Sequence, residues 1–347
     1  MKKDFFTAPN TQRLLWPMAA LAGILLFNLV FTPGFFHIEI KDGRFFGSLV
    51  DIGNRACPVM LLAIGMTLVF ATGGIDLSVG AVMAITGAIA ATIIRPDYVK
   101  GVIEYGQMRP LLIVVSIPLV VSLLAGLWNG LLVAYVGIQP IIATLILMVA
   151  GRGIAQLVTQ GQIVVFIHEP FQYIGSGFLL GLPVPIILVI IIFAAIHLLT
   201  RKTGLGLFIE AIGANSTASR FMGIRKRLIT VAVYMFCALC AGIAGLIICA
   251  DIKAADANNA GLFLELDAIA AVIIGGTIWG GRFTLMGSIV GALIIQSLTT
   301  TILTRGIAPE VTLVFKAVVI IAVALIQSGK FRQLFLQNLT RRTGKTP

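Results

Sequence analysis

Ten apolar runs punctuate this chain, and most approach the roughly 20 residues an α-helix needs to cross about 30 Å of hydrocarbon. They cover residues 14–31, 56–71, 77–94, 111–136, 138–158, 185–200, 228–250, 268–278, 285–303 and 311–327. Only 11% of residues are charged and 59% are hydrophobic, whereas soluble domains carry about 25% charged residues. The chain is therefore expected to be an all-α integral membrane protein of about ten transmembrane helices. The first run has no small-residue cleavage site after it, so it reads as a span and not as a signal peptide. The eighth is short. It crosses only if Leu266, Asp267 and the glycine-rich stretch 275–281 are carried at membrane depth by neighbouring helices.

The net charge of +11 would suit nucleic acid if the cations formed one patch, but they cluster between apolar runs, as bilayer orientation requires. With the amino terminus inside, inner segments hold 15 cations against Asp4 and Glu210, and outer segments hold 8 cations against 11 acids. Cytoplasmic segments carry the excess of Lys and Arg. Both termini are expected in the cytoplasm, with tails at 1–13 and 329–347 flanking one membrane domain, 14–328. Cys237 and Cys240 stand at CxxC spacing. No nearby His or Cys completes a metal site, so all four cysteines read as buried thiols and no metal is expected.

Between two long apolar runs lies a basic, amphipathic insert, 203–227, TGLGLFIEAIGANSTASRFMGIRKR. A plain connection would need only a few residues. Helical periodicity extends from about Leu207 to Met222, with Leu207, Phe208, Ala211, Ile212, Ala218, Phe221 and Met222 partly on one face and Gly213 and Gly223 as punctuation. One reading is a helix lying on the lipid headgroups. The other is a docking helix gripped by a cytoplasmic partner, which suits a transporter driven by a separate motor.

The pattern of apolar helix, glycine-rich break and small-residue helix occurs twice, around 71–80 and 275–287, and paired broken helices are common near transporter binding sites. In the first break, glycine frees the backbone while Asp76 and Ser78 supply oxygens for the amides that open the next helix. Asp76 either serves as that cap alone or faces the translocation path. Thr67, Asn129, Thr144, Arg152, Gln156, Gln296 and Lys316 lie inside spans, where polar groups are costly and face the protein interior. Thr67, Asp76, Asn129, Thr144, Gln156 and Gln296 are candidates for the path of a neutral substrate; interhelical hydrogen bonding is the plainer role. Arg152 and Lys316 are expected to pair with an acid or reach an interface. The acidic, Asn-rich outer segment 251–267 is either a solvated turn or a docking surface.

Four strings together resemble the permeases of ATP-binding-cassette sugar importers of the ribose type: EAIGANSTASRFMGI in the insert, ATGGIDLSVGAVMA at 71–84, AGLWNGLLVAYVGIQPIIATLILMVAGRGIAQL at 125–157 and AVIIGGTIWGGRFTLMGSIVG at 271–291. The texture of GRFFGS, LLAIGMTLV and ADIKAADANNAGLFLELDAI is most similar to the galactofuranose permease subgroup. The resemblance implies a ten-helix permease of the vitamin-B12-importer (type II) class with a cytoplasmic coupling helix, in the bacterial inner membrane. It implies a second permease subunit, identical or paralogous, two ATPase subunits that bind the ATP and magnesium, and a periplasmic sugar-binding protein. Glu210, Ala211, Gly213, Asn215, Ala218 and Gly223 would couple to the ATPase, and Asp256, Asn258 and Asn259 would meet the binding protein or the sugar. The cargo would be a monosaccharide, galactofuranose by the subgroup or another pentose or hexose.

Other readings are weaker. An ion-coupled transporter usually carries titratable carboxylates within its spans, and only Asp76 lies near a span core. An intramembrane enzyme needs a nucleophile–base or metal constellation, but His37, His168 and His197 are scattered. The Gly344-Lys345-Thr346 triplet echoes a phosphate-binding loop, yet Leu339 stands where its first glycine is required. Neither an enzyme nor an ATP or nucleic-acid binder is expected.

Overall fold

The computed structural model describes residues 9–321 apart from 33, 42, 95–96, 100–101, 105–108, 309–310, 312 and 319–320. The carboxy-terminal tail expected at 329–347, residues 1–8 of the amino-terminal tail and the end of the tenth apolar run lie outside the described residues. Twelve α-helices are α1 (Pro9–Phe31), α2 (Ser48–Ala71), α3 (Val79–Ile94), α4 (Leu111–Leu131), α5 (Pro140–Thr159), α6 (Glu169–Ser176), α7 (Val184–Lys202), α8 (Leu205–Ala214), α9 (Ser216–Phe221), α10 (Lys226–Ile252), α11 (Leu264–Ile274) and α12 (Leu285–Thr304). A π-helical turn, Leu132–Val136, extends α4. Residues 313–318 are also helical. Among the described residues, four two-stranded antiparallel pairs decorate the loops; one ties Val164–Val165, after α5, to Ala254–Ala255, after α10.

Seven of these helices are long and apolar enough to cross a membrane, among the described residues. The other expected spans are α3, with 16 residues, α11, with 11, and the run beginning at 311, only part of which is described. At 1.5 Å per residue, α11 covers about 16 Å, half a bilayer. Its bounds differ from the 268–278 expected from hydropathy, because Gly275 and Gly276 end the helix and Gly276 takes φ +79°. Conversely, α2 begins eight residues before its apolar run. Its polar first turns are held by an ion pair between Asp51 and Arg55 at i,i+4, 2.9 Å.

Helices α2, α3 and α10 form the interior, and α10 packs mainly against α4, α2 and α3. In lipid, association depends on close backbone approach and interhelical hydrogen bonds, and both are present. An alanine at Gly65 of α2 would put its Cβ 2.8 Å from the Cys237 Cα of α10, and one at Gly130 of α4 would stand 2.8 Å from the Val231 Cα. Thr67 donates to Ser288 at 2.6 Å, joining α2 to α12, and Asn28 donates to Thr301 at 2.6 Å, joining α1 to α12. Lys316 pairs with Asp267 at 2.8 Å, which neutralises the acid that opens α11 and fulfils the expectation for that lysine. The cysteines are all free and buried. By contrast, α1, α4, α5 and α7 expose large apolar side chains such as Leu112, Val149 and Ile191, as lipid-facing helices do.

Candidate functional site

The insert folds as two helices. Asn215, with extended backbone, breaks the expected continuous helix because its side chain accepts from the Thr217 amide at 3.1 Å and the Ala218 amide at 2.9 Å, capping α9. Gly223, at φ +79°, turns the chain from α9 toward α10. The insert therefore presents two faces. Ile209 and Ile212 are buried against the bundle, whereas Leu207, Phe221 and Met222 are 72%, 86% and 82% exposed.

The inner face of α8 meets both glycine-rich breaks at once. Gly280 donates its amide to the Phe70 carbonyl at 3.0 Å, and Phe70 meets Trp279 edge to face with ring centres 4.9 Å apart. Gly213 fits into this junction: a Cβ added there would strike the Ala71 carbonyl oxygen and lie 2.9 Å from the Gly280 Cα. A Cβ at Gly280, whose φ is +60°, would reach the Gly213 oxygen at 3.1 Å and the Gly73 Cα at 3.7 Å. Glu210 faces the bundle too, its Oε1 accepting from the Phe283 amide at 3.4 Å. Three glycines thus bring backbones from the end of α2, the end of α8 and the segment before α12 into contact. Because packed protein is poorly compressible, displacement of α8 must move both broken-helix units.

Of the six candidate path residues, the structure brings three together. Asp76 Oδ1 accepts from the Ser78 amide at 2.9 Å and the Ser78 hydroxyl at 2.6 Å, and Asn129 Nδ2 donates to Ser78 Oγ at 2.9 Å. Thr144 Oγ1 bonds the Pro140 carbonyl at 2.9 Å and approaches the Ile75 carbonyl at 3.4 Å. Asp76, Ser78, Asn129 and Thr144 are fully buried in the wall between the α2–α3 break, α4 and α5, and Asp76 Oδ2 and Asn129 Oδ1 have no hydrogen-bond partner among the described residues. The other three are dispersed. Thr67 is the α2–α12 staple, half-buried Gln296 bonds Thr300 on its own helix, and Gln156 reaches the loop that follows α10.

That loop, 254–263, crosses the opposite end of α10, which is 27 residues, or about 40 Å, long. Asp256 accepts from the amides of Asn258 and Asn259 at 3.0 and 3.2 Å and from Asn259 Nδ2 at 2.7 Å. Those bonds, foremost the one from the Asn259 side chain, hold its carboxyl below the usual carboxylate range. From α5, Gln156 donates to Asn258 Oδ1 at 2.8 Å and Arg152 donates to the carbonyls of Ala257 and Ala260 at 3.2 and 2.5 Å. Arg152 therefore satisfies backbone carbonyls, a role that sequence spacing does not reveal. Under the loop lies a cleft of about 440 Å³ between α3 and α10. The Asp76 cap on the Ser78 amide follows the sequence expectation; the donation of the Ser78 hydroxyl to Asp76 and of Asn129 to Ser78, and the meeting of the two breaks at Gly213, were not legible from sequence.

Residues 48–324 match the family described as branched-chain amino acid transport system / permease component. The chain is 52% identical over 334 residues to the galactofuranose transporter permease protein of Escherichia coli K12, covering 94% of this chain and 95% of that one. It is 38% identical to the fructose import permease protein of Bifidobacterium longum, covering 93% and 90%. It is 35% identical to the ribose import permease protein of Escherichia coli K12, covering 91% and 95%. No solved structure matches. With its long apolar helices, its two broken-helix units and a match over most of its length, the chain belongs to this family of multi-pass membrane permease components, and is a transport subunit and not an enzyme.

Proposed function

We propose that the chain is the permease subunit of an ATP-driven sugar importer in a bacterial inner membrane, passing galactofuranose delivered by a periplasmic binding protein into the cytoplasm. The observation that carries this reading is the contact of Gly213 with both glycine-rich breaks, which gives an external motor a direct hold on the transmembrane helices. The 52% identity to a permease named for galactofuranose supports the sugar. The relatives named for fructose and ribose support the second reading, another hexose or pentose.

In this reading α3, α11 and the helix beginning at 311 join the seven long helices to make ten, the type II, vitamin-B12-importer-like arrangement. The excess of cations at the α8–α9 end favours a cytoplasmic position for it and for both termini. Exposed Leu207, Phe221 and Met222, with Ala218, meet the ATPase, which binds the ATP and magnesium. Glu210, Ala211 and Gly213 pass the displacement inward, and Asn215 and Gly223 keep the two rods in register. A second permease, identical or paralogous, completes the pathway. The partner's nucleotide states shift the permease equilibrium only as far as they bind its two conformations differently. Asn258, exposed on the outer loop, meets the binding protein.

The test is reconstitution of the permease with its ATPase and binding protein in proteoliposomes, followed by uptake of labelled galactofuranose, fructose and ribose. Uptake that requires ATP and prefers galactofuranose is expected. Uptake by the permease alone would overturn the reading in favour of a secondary transporter.

A further inference from the structure

The cleft beneath the outer loop has the size and chemistry of a small-ligand site. Its volume, about 440 Å³, lies within the roughly 300–1,000 Å³ of small-molecule pockets. Its apolar floor combines small residues, Ala84 and Gly87 on α3 and Gly245 and Cys249 on α10, with the larger Met83 and Ile248, and its rim carries Asp256 and Asn259. An apolar floor with a few convergent polar groups suits a molecule with a C–H face and edge hydroxyls.

The rim retains bonding capacity. An ionised carboxylate has about four acceptor positions, and Asp256 receives three donors. The Asn259 amide uses one N–H on Asp256, leaving its second N–H and its carbonyl oxygen. The loop that carries these groups is fixed from α5 by Arg152 and Gln156 and by the strand pairing of Ala254–Ala255 with Val164–Val165. Both polar groups are therefore held in fixed positions over the floor, which lowers the ordering cost of binding.

We propose that this cleft is a monosaccharide subsite of the permease, with Asp256 and Asn259 accepting and donating to sugar hydroxyls over the α3–α10 floor, and Arg152 and Gln156 acting as positioning residues for the rim. The inference rests on the sugar-import reading and assigns the first permease contact of the cargo to named side chains.

Cys249 lines the cleft floor, so in a Cys249→Ala background an Ile163→Cys variant, at an exposed residue that lines the cleft and takes no part in the polar rim, offers one accessible thiol to a membrane-impermeant maleimide. In the reconstituted complex without binding protein, free D-galactose or D-ribose at millimolar concentrations should slow labelling several-fold, where sodium chloride of equal osmolarity does not. The protection should be lost when Asp256→Asn is added. Asp256→Asn alone keeps an acceptor oxygen for the Asn258 and Asn259 amides, so the loop stays folded, and uptake efficiency should fall about tenfold for loss of a hydrogen bond to a charged group. Labelling unaffected by free sugar but blocked by the binding protein overturns the subsite in favour of a docking surface. Wild-type uptake by Asp256→Asn also overturns it. Either result leaves the sugar-import reading intact, because that reading fails separately if the unmodified complex imports no sugar.

Discussion

Replacing Gly213 by Ala tests the three-glycine joint with a single methyl group. The new Cβ strikes the Ala71 carbonyl and comes within 2.9 Å of the Gly280 Cα, where non-bonded carbon atoms rest at about 3.5–4.0 Å. α8 must retreat by about 1 Å to restore that spacing. Overpacking of this kind costs about 1–3 kcal/mol. Alanine's better helix propensity offsets about 0.5–1 kcal/mol, since Gly213 lies inside a helix without positive φ. A net penalty of about 1–2 kcal/mol on the closed joint changes its population about 5- to 30-fold. In proteoliposomes, uptake per ATP hydrolysed should fall by that factor while hydrolysis persists, because the outward Leu207, Phe221 and Met222 are untouched. Gly153→Ala in α5 is the control: nothing stands within 4 Å of its added Cβ, so it should transport normally. A wild-type coupling ratio in Gly213→Ala, or equal damage in Gly153→Ala, would refute the reasoning.

Four further outcomes are expected. Asn129→Leu strips the buried Ser78 hydroxyl of its amide donor and should destabilise the permease by about 1–3 kcal/mol; an unchanged thermal-unfolding midpoint in detergent would show that this network bears no load. Lys316→Met leaves Asp267 unpaired and should lower the same midpoint, and adding Asp267→Asn should recover more than half of the loss, because breaking a buried pair costs more than removing both charges; a double variant no better than the single one would contradict this. Phe221→Asp with Met222→Asp should abolish co-purification of the ATPase while leaving the permease's own elution profile unchanged, and retained co-purification would move the docking face elsewhere. The depressed Asp256 carboxyl gives stability that is complete above its unfolded value of about 3.9 and is lost as pH falls through its lower folded value. Hydrogen exchange at the Asn258 and Asn259 amides should therefore remain slow at about pH 5, and protection already lost there would contradict the bonding described.

Much was legible from the order of the residues alone. Long apolar runs separated by charge specify helices in a bilayer because no other open backbone arrangement satisfies its own amides there. This is why five of the seven long spans fall within two residues of both expected bounds. Local chemistry also announced the insert and both glycine breaks. What the sequence left open is every property that depends on which surfaces meet. Hydropathy could not end α11 at Ile274 or start α2 at Ser48, since caps and ion pairs decide those points and apolar content does not. Periodicity ran one helix through Asn215, because the competing side-chain cap is invisible to a 3.6-residue average.

The candidate site shows the same division. Thr67, Asp76, Asn129, Thr144, Gln156 and Gln296 were equal candidates on polarity alone. Folding sorts them into a buried wall around Asp76, a helix staple at Thr67, a loop clamp at Gln156 and a bond within one helix at Gln296. Gly213 and Gly280 are 67 positions apart, and no local rule couples them; they touch because two broken helices and the insert converge at one end of the bundle. Composition determined that this chain lives in a membrane and carries a basic, amphipathic insert between two of its spans. Only the tertiary packing decided which side of that insert meets the bundle and which backbones it touches, since backbone contact between glycines leaves no signature in a one-dimensional pattern of polarity.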